Sequence, residues 1–494
     1  MSIAAMGLLS AALAVSSKRL PPSAPLRGAT HPWPRRPLLP IPWRPCYDRG
    51  MSVFKTYDIR GVWGQGIDTS LAYKLGRALA RYMKANAFLI GYDARVHSAE
   101  LYRALAAGLQ GERAKVTGVG LVSTPLLHYT QMDRKVPAAV MVTASHNPPE
   151  YHGFKVFDAS GGSISYDKGL KAVESLVQKI DAPATIATVD FPEVDGLESY
   201  VQFVAAAGGE KPLPSRVVID ISNGSAGRVF RRLTELRGVD AILLNEKPDG
   251  TFPSHDPNPL KEESKVQAAR TVLERDAAFG IILDGDGDRI LFVDEKGKAI
   301  ENYFLSCLVA EELLSRTPGA SIVYDLISSR VLPERIREAG GTPVVSRVGY
   351  TFLYDQMVAT QAIFGAETSG HVYFKVSDTY YTESAAYALA VVLRLLAARG
   401  QLLSKLVEPL RTRYAQSPEI NVEVADKDKA MAAIESRFAS GKIDKTDGIS
   451  VSFDDFWFNV RPSNTEPLLR LRLEARDAET ARKRTQEITR ILKE

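Results

Sequence analysis

The sequence predicts an α/β fold spread over several domains, and three observations carry that reading. The first is size: 494 residues, 45% of them hydrophobic, exceed what one core organises, since single cores stop growing near roughly 250–300 residues. The second is pattern. From Met51 onward, short apolar runs rich in Val, Ile and Phe alternate with longer segments whose apolar residues recur at three and four, as strands alternating with helices do. The third is a recurrence of an apolar strand closing on Asp, followed by a polar turn and an Arg-bearing helix. It occurs at Ala87 to Tyr92 with Asp93, at Val217 to Ile219 with Asp220, and at Ile322 to Tyr324 with Asp325. The recurrence hints at three related domains, although any α/β chain has strands that end on Asp at loops.

In the first unit the strand Ala87 to Tyr92 leads through Asp93-Ala94-Arg95 to Ser98, which reads as the N-cap of a helix from Ala99 to Gln110. The Pro- and Gly-rich stretch Gly208 to Ser215 reads as one boundary and the polar stretch Thr412 to Pro418 as another. Beyond Ser417 the pattern changes to a strand at Asn421 to Val424, a helix near Lys427 to Phe438, three short strands between Ile449 and Leu473, and a charged helix from Ala478. That is a small α+β module. The domains are therefore placed at residues 51–200, 201–300, 301–415 and 416–494, after a leader of residues 1–50.

The leader differs from the body. It holds nine of the 28 prolines, two of the four tryptophans, and seven basic residues against one acidic. Its +6 within a total of +4 leaves the body near −2, without the basic excess of nucleic-acid-binding proteins, which removes DNA and RNA as expected partners. Met51 is the expected start, because patterned sequence follows at once in Val53-Phe54-Lys55-Thr56-Tyr57-Asp58-Ile59-Arg60-Gly61. The other readings are a functional tail or a targeting segment. For the latter, Ile3 to Val15 is apolar and Ala12-Leu13-Ala14 resembles a cleavage site, but no Lys or Arg precedes the run. No stretch approaches the roughly 20 apolar residues that span a bilayer, so no membrane association is expected. Cys46 and Cys307 are the two cysteines. A start at Met51 leaves no intramolecular disulfide, which fits a reducing, cytoplasmic setting. Cys307, in an apolar helical stretch, reads as a core residue.

Four segments carry chemistry. In Thr143-Ala144-Ser145-His146-Asn147-Pro148, the apolar run Ala138 to Val142 delivers a hydroxyl into a tight turn, with His146 and Lys155 near in sequence. A serine so placed can accept a phosphoryl group if cations offset its charge; taken alone, it reads better as a capping serine in a polar turn. In Asp284-Gly285-Asp286-Gly287-Asp288-Arg289, three carboxylates at alternating positions can converge on one hard cation, and Mg²⁺ is the natural reading. The segment is not an EF-hand loop, because Arg289 stands where that loop needs its sixth-position glycine. In Glu367-Thr368-Ser369-Gly370-His371, carboxylate, hydroxyl and imidazole can bracket sugar hydroxyls, though for the isolated pentapeptide a satisfied loop histidine with a nearby cap is the better reading. In Arg461-Pro462-Ser463-Asn464-Thr465-Glu466-Pro467, an arginine fork, hydroxyls and loop amides suit a phosphate, or merely decorate a turn.

In this order and at these separations the four segments resemble the α-D-phosphohexomutase superfamily, in its phosphomannomutase/phosphoglucomutase branch, over residues 53–494. The resemblance implies three α/β domains and a smaller C-terminal domain around a central cleft. It implies interconversion of hexose 6-phosphate and hexose 1-phosphate, mannose and with it glucose, through a phosphoserine and a 1,6-bisphosphate intermediate. Ser145 would be the phosphoserine, holding Mg²⁺ together with Asp284, Asp286 and Asp288. Lys155 and Arg289 would assist proton transfer and orient the reacting groups, with His146 beside the phosphoserine. Glu367, Ser369 and His371 match the sugar-hydroxyl loop. Arg461, Ser463, Asn464 and Thr465 match the loop for the phosphate not being transferred, and Tyr57 and Arg60 match residues that face the cleft. Glucose 1,6-bisphosphate, or its mannose equivalent, is implied as activator, and a monomer or homodimer as the assembly.

Three departures bear on substrate choice. Arg347-Val348-Gly349-Tyr350 stands where Lys-Thr-Gly-His or Lys-Val-Gly is common in the family, so a cationic sugar contact at Arg347 becomes a guanidinium and an imidazole becomes a phenol. Thr382-Glu383-Ser384 replaces an acidic-acidic or acidic-small pair followed by glycine, which shifts a carboxylate and loses the glycine, and His152 stands where Asn is usual. The alternatives are a phosphoglucosamine-type mutase and a catalytically silent sugar-phosphate binding protein.

Overall fold

The computed structural model describes residues 52–209, 216–462 and 468–494. The leader, most of the boundary predicted at Gly208 to Ser215, and the tip of the predicted phosphate loop lie outside the described residues. Three sheets share one strand order. In the first, Ala87–Tyr92 lies between parallel neighbours Lys115–Leu121 and Ala139–Val142; the latter pairs antiparallel with Tyr151–Phe157, and that with Ile59–Trp63. In the second, Val217–Asp220 lies between Ala241–Leu244 and Phe279–Leu283, followed by antiparallel Ile290–Asp294 and Ala299–Ile300. In the third, Ser321–Asp325 lies between Thr342–Ser346 and Phe364–Ala366, followed by antiparallel Val372–Lys375 and Tyr381–Glu383. The central strand of each sheet leads into Asp93, Asp220 or Asp325, so the recurrence read in the sequence marks topologically equivalent strands.

The apolar runs are continuous because these strands are covered on both faces, as parallel sheets require. Ala139–Val142, Val217–Asp220 and Phe279–Leu283 are buried along their whole length. One core joins all three sheets through the helices Leu197–Ala207, Asn302–Leu314 and Ala385–Arg399, taking Leu89, Ala139 and Met141 from one face of the first sheet; the other face of that sheet and the C-terminal module have cores of their own. Cys307 is buried on the second of these helices, where burial pushes its thiol pKa far up. It is a core residue.

The C-terminal module contains the three expected strands as Ile449–Ser452, Phe456–Pro462 and Leu468–Ala475, with helices Lys427–Arg437 and Ala478–Lys493. Two short strands escaped the sequence reading. Lys442–Asp444 is a polar edge strand, and Ala415–Gln416 lies inside the stretch read as a boundary, paired with the end of Leu468–Ala475. Ser98 is also a correction. The helix runs Ser98–Gly111 and starts on Ser98 itself, with His97 at the capping position. The Ser98 hydroxyl donates to the buried Asp93 carboxylate at 2.6 Å, an acceptor stronger than any use it has as a cap. Among the described residues, no single helix is long and apolar enough to cross a membrane.

Candidate active site

Because the third strand of each sheet turns back on an antiparallel partner, each α/β domain has one tight turn in the same topological place. These are residues 143–150, 284–289 and 367–371, the three segments singled out for chemistry, and the fold brings them together. Ser145 Oγ donates to Asp284 Oδ2 at 2.7 Å. The amide of Ile290 donates to Gly370 O at 3.2 Å, and Arg289 bridges to His371. The approach is close enough that a Cβ on Gly285 would lie 2.8 Å from Ser145 O, so only glycine fits there.

Ser145 is buried and has a φ of +50°, a conformation that a side-chain-bearing residue keeps only when its surroundings fix it. Its amide donates to Thr143 Oγ1 at 2.8 Å, and Thr143 Oγ1 donates to Asp93 Oδ2 at 2.8 Å. Its carbonyl accepts from Arg95 Nη2 at 2.7 Å. The same guanidinium donates to the carbonyls of Asn147, Pro148 and Tyr151, and to Asp93 through Nε. Arg60 adds bonds to Ala144 O and Asn147 Oδ1 while paired with Asp58. His146 Nδ1 lies 3.4 Å from Ser145 Oγ. Burial and the surrounding cations Arg289 and Arg60 push its pKa well down, so the ring is neutral.

Asp284, Asp286 and Asp288 are completely buried. Lys155 Nζ donates to Asp286 Oδ2 at 2.8 Å and to Asp288 Oδ2, while Thr124 Oγ1 donates to Asp286 Oδ2 at 2.6 Å. Burial, then Asp288 and Asp286, drive the Asp284 pKa far up; for Asp286 burial is outweighed by Lys155, and its pKa falls. With Arg289 Nε 3.8 Å from Asp284 Oδ2, two cations thus face three crowded carboxylates. Among the described residues neither Asp286 Oδ1 nor Asp288 Oδ1 has a hydrogen-bond partner. One oxygen from each aspartate lies within 4.8 Å of the others. An all-oxygen, charge-deficient donor set of this kind fits a hard divalent cation.

In the third turn Glu367 accepts from Gly349 N at 2.6 Å and from Ser369 Oγ at 2.9 Å. Thr368 is tied by its amide and hydroxyl to Asp325, as Thr143 is tied to Asp93. His371 Nε2 accepts from Arg289 Nε at 2.8 Å, which puts the ring proton on Nδ1, facing Glu383. Asp288, His371 and Glu383 also cluster, but a protonated Nδ1 makes this an orienting hydrogen bond, not a ligand set. Glu383 is the carboxylate displaced in the Thr382-Glu383-Ser384 departure. Tyr350 stacks on His371, with ring centroids 5.4 Å apart, and carries Lys155 Nζ over its face at 5.7 Å.

A cleft of about 1000 Å³ opens onto this group, lined among others by Tyr57, His146, Arg289, Ser369, Arg461 and Arg470. Tyr57 bonds Val348 O at 2.8 Å. Arg347 stands apart: it is exposed, with its guanidinium 4.2 Å over the Phe352 ring. Ser463, Asn464 and Thr465 lie outside the described residues. Sequence reasoning missed Arg470 and Arg472, which both line the cleft. Their signal was present in the alternation Leu469-Arg470-Leu471-Arg472-Leu473, which sends apolar side chains inward and arginines to one face.

Four domain patterns of one family match the chain in order. They are phosphoglucomutase/phosphomannomutase alpha/beta/alpha domains I, II and III over residues 51–184, 198–297 and 302–414, and the C-terminal domain over 419–491. The chain belongs to this family of phosphohexomutase enzymes. It is 36% identical to a phosphomannomutase of Methanocaldococcus jannaschii over 445 residues, covering 90% of this chain and 98% of that one. It is 35% identical to a protein named phosphohexose mutases from Xanthomonas campestris pv. campestris over 447 residues, covering 90% and 99%. A phosphoglucomutase/phosphomannomutase family protein from Burkholderia thailandensis, solved by crystallography, superposes with a TM-score of 0.81 at 31% identity, covering 89% and 96%.

Proposed function

We propose that this phosphohexomutase interconverts mannose 6-phosphate and mannose 1-phosphate, and the glucose pair with them, through a phosphoryl group carried on Ser145. The observation that carries the reading is Ser145 Oγ at 2.7 Å from Asp284, in a buried group of three carboxylates and Lys155. Asp284, Asp286 and Asp288 would hold Mg²⁺ together with the serine phosphate; when bound, the cation offsets charge on the phosphoryl oxygens.

The remaining work falls to the chain. The O–P bond at Ser145 breaks as one forms to the free hydroxyl of the bound monophosphate; that hydroxyl proton leaves to a base on the protein, and the freed Ser145 oxygen takes up a proton in exchange. Lys155 and Arg289, beside the carboxylates, orient the reacting oxygens and assist that proton, while His371, fixed through Nδ1 by Glu383, holds Arg289 in place. The 1,6-bisphosphate turns round and returns its other phosphoryl group to Ser145. Arg461 and its loop hold the phosphate that is not reacting, and Glu367 and Ser369 meet the sugar hydroxyls. Glucose 1,6-bisphosphate would prime the enzyme by phosphorylating Ser145.

The test is a coupled assay with Mg²⁺ and a trace of glucose 1,6-bisphosphate, offering mannose 1-phosphate and glucose 1-phosphate separately. Formation of either 6-phosphate is expected; no turnover of both by intact protein overturns the reading.

A further inference from the structure

Arg461 and Arg470 stand directly opposite each other on the antiparallel strands Phe456–Pro462 and Leu468–Ala475. Like charges so placed repel. Between them lies Glu419, with Oε2 3.0 Å from Arg461 Nη2 and Oε1 3.6 Å from Arg470 Nη1. All three line the cleft. Their side chains are 14%, 33% and 33% exposed for Arg461, Arg470 and Glu419, so this ion pairing is screened and weak. A carboxylate with one oxygen toward each guanidinium has the form of a phosphate held by two arginines, but with less charge and fewer acceptor oxygens.

We propose that Glu419 is an internal stand-in for the substrate's non-reacting phosphate, held between Arg461 and Arg470 in the place which that phosphate takes. The hexose phosphate takes both guanidiniums, and the Glu419 carboxylate is released to solvent. This rests on the mutase reading for the identity of the anion. It also gives that reading something it needs. Each turnover must free one phosphate of the bisphosphate and seat the other, and a resident carboxylate keeps two facing guanidiniums paired in between.

The experiment uses the full chain carrying Ser145→Ala, so that nothing turns over, and measures affinity for inorganic phosphate and for mannose 1-phosphate by calorimetry at low salt. Glu419→Gln is expected to tighten both by roughly three- to tenfold, Glu419→Asp to stay near the parent, and Arg470→Met to weaken both by about tenfold. Arg470→Met should also cancel the gain from Glu419→Gln. Unchanged or weaker phosphate binding in Glu419→Gln, with an unaltered melting profile, overturns the proposal. So does an Arg470→Met variant that binds phosphate as the parent does. A wild-type chain that converts neither sugar, while phosphate binding still responds to Glu419→Gln, sinks the mutase reading and leaves the anion exchange standing.

Discussion

In the proposed reaction the turn around Ser145 and the arginine face of the C-terminal module both meet phosphate, yet they are built in opposite ways. At Ser145 the guanidinium of Arg95 spends its donors on four carbonyls and Asp93, all out of solvent. At the cleft wall Arg461 and Arg470 share one carboxylate that is a third exposed. The first arrangement fixes one geometry in a low-dielectric site, where placement to a fraction of an ångström sets the rate. The second gives attraction without fixed geometry, which suits a site that must grip and let go. Changes in the turn should therefore act on kcat, and changes at the wall on KM.

The largest effect is expected from removing the phosphoryl carrier. Ser145→Ala should cut turnover by roughly four or more orders of magnitude, while calorimetry still detects monophosphate binding; retained full activity would falsify the phosphoserine mechanism. Asp286→Asn comes next. It removes one charge from the carboxylate group and should lower kcat on the order of a hundredfold, with the Mg²⁺ titration moved to higher concentration. An unmoved titration would mean that the cation binds elsewhere.

Arg95→Lys sharpens the contrast itself. A lysine keeps the charge beside Asp93 but cannot reach four carbonyls from one planar fork, so the Ser145 turn loses its brace. We expect kcat to fall by about ten- to a hundredfold with KM for the monophosphate little changed. Steady-state kinetics beside a melting curve will check this. A rise in KM at constant kcat would mean that the turn is not what Arg95 holds.

Much of this was legible in the sequence, and the reasons differ by element. The strands leading into Asp93, Asp220 and Asp325 were readable because burial on both faces leaves an unbroken apolar run. The three turns were readable because chemistry-bearing residue types, Ser145, the three aspartates and His371, sit in short unusual contexts. Arg95 was named only as part of a turn, since donation to backbone carbonyls leaves no side-chain pattern to find. The role of Glu383 depends on the pairing of Tyr381–Glu383 with Val372–Lys375, which carries Glu383 beside His371 from twelve residues away. Ser98 was misread because its true partner, Asp93, lies behind it in sequence, not ahead in its helix.

The smallest expected effect lies outside the reaction, in the helix Thr124–Asp133 that presents Thr124 to Asp286. His128, four residues along, is buried against Phe157 and Tyr380 and hydrogen-bonds Gly161 O through Nε2 at 2.9 Å. Gly161 has a φ of +79°, and a Cβ there would come within 2.5 Å of that nitrogen, so only glycine lets the backbone approach the ring this closely. Burial pushes the His128 pKa down to about 4. The unfolded chain binds this proton near pH 6.5 and the folded chain does not. The stability involved is therefore fully present above pH 6.5 and is lost as pH falls toward 4, reaching about 3 kcal/mol. His128→Gln keeps a donor for Gly161 O but does not titrate. Its melting temperature should fall less steeply than that of the wild type between pH 6.5 and 4.5, with activity at pH 7.5 nearly unchanged. Parallel melting curves across that window would show that His128 takes up its proton in the folded chain, and that the support beneath Thr124 is looser than the packing around the ring indicates.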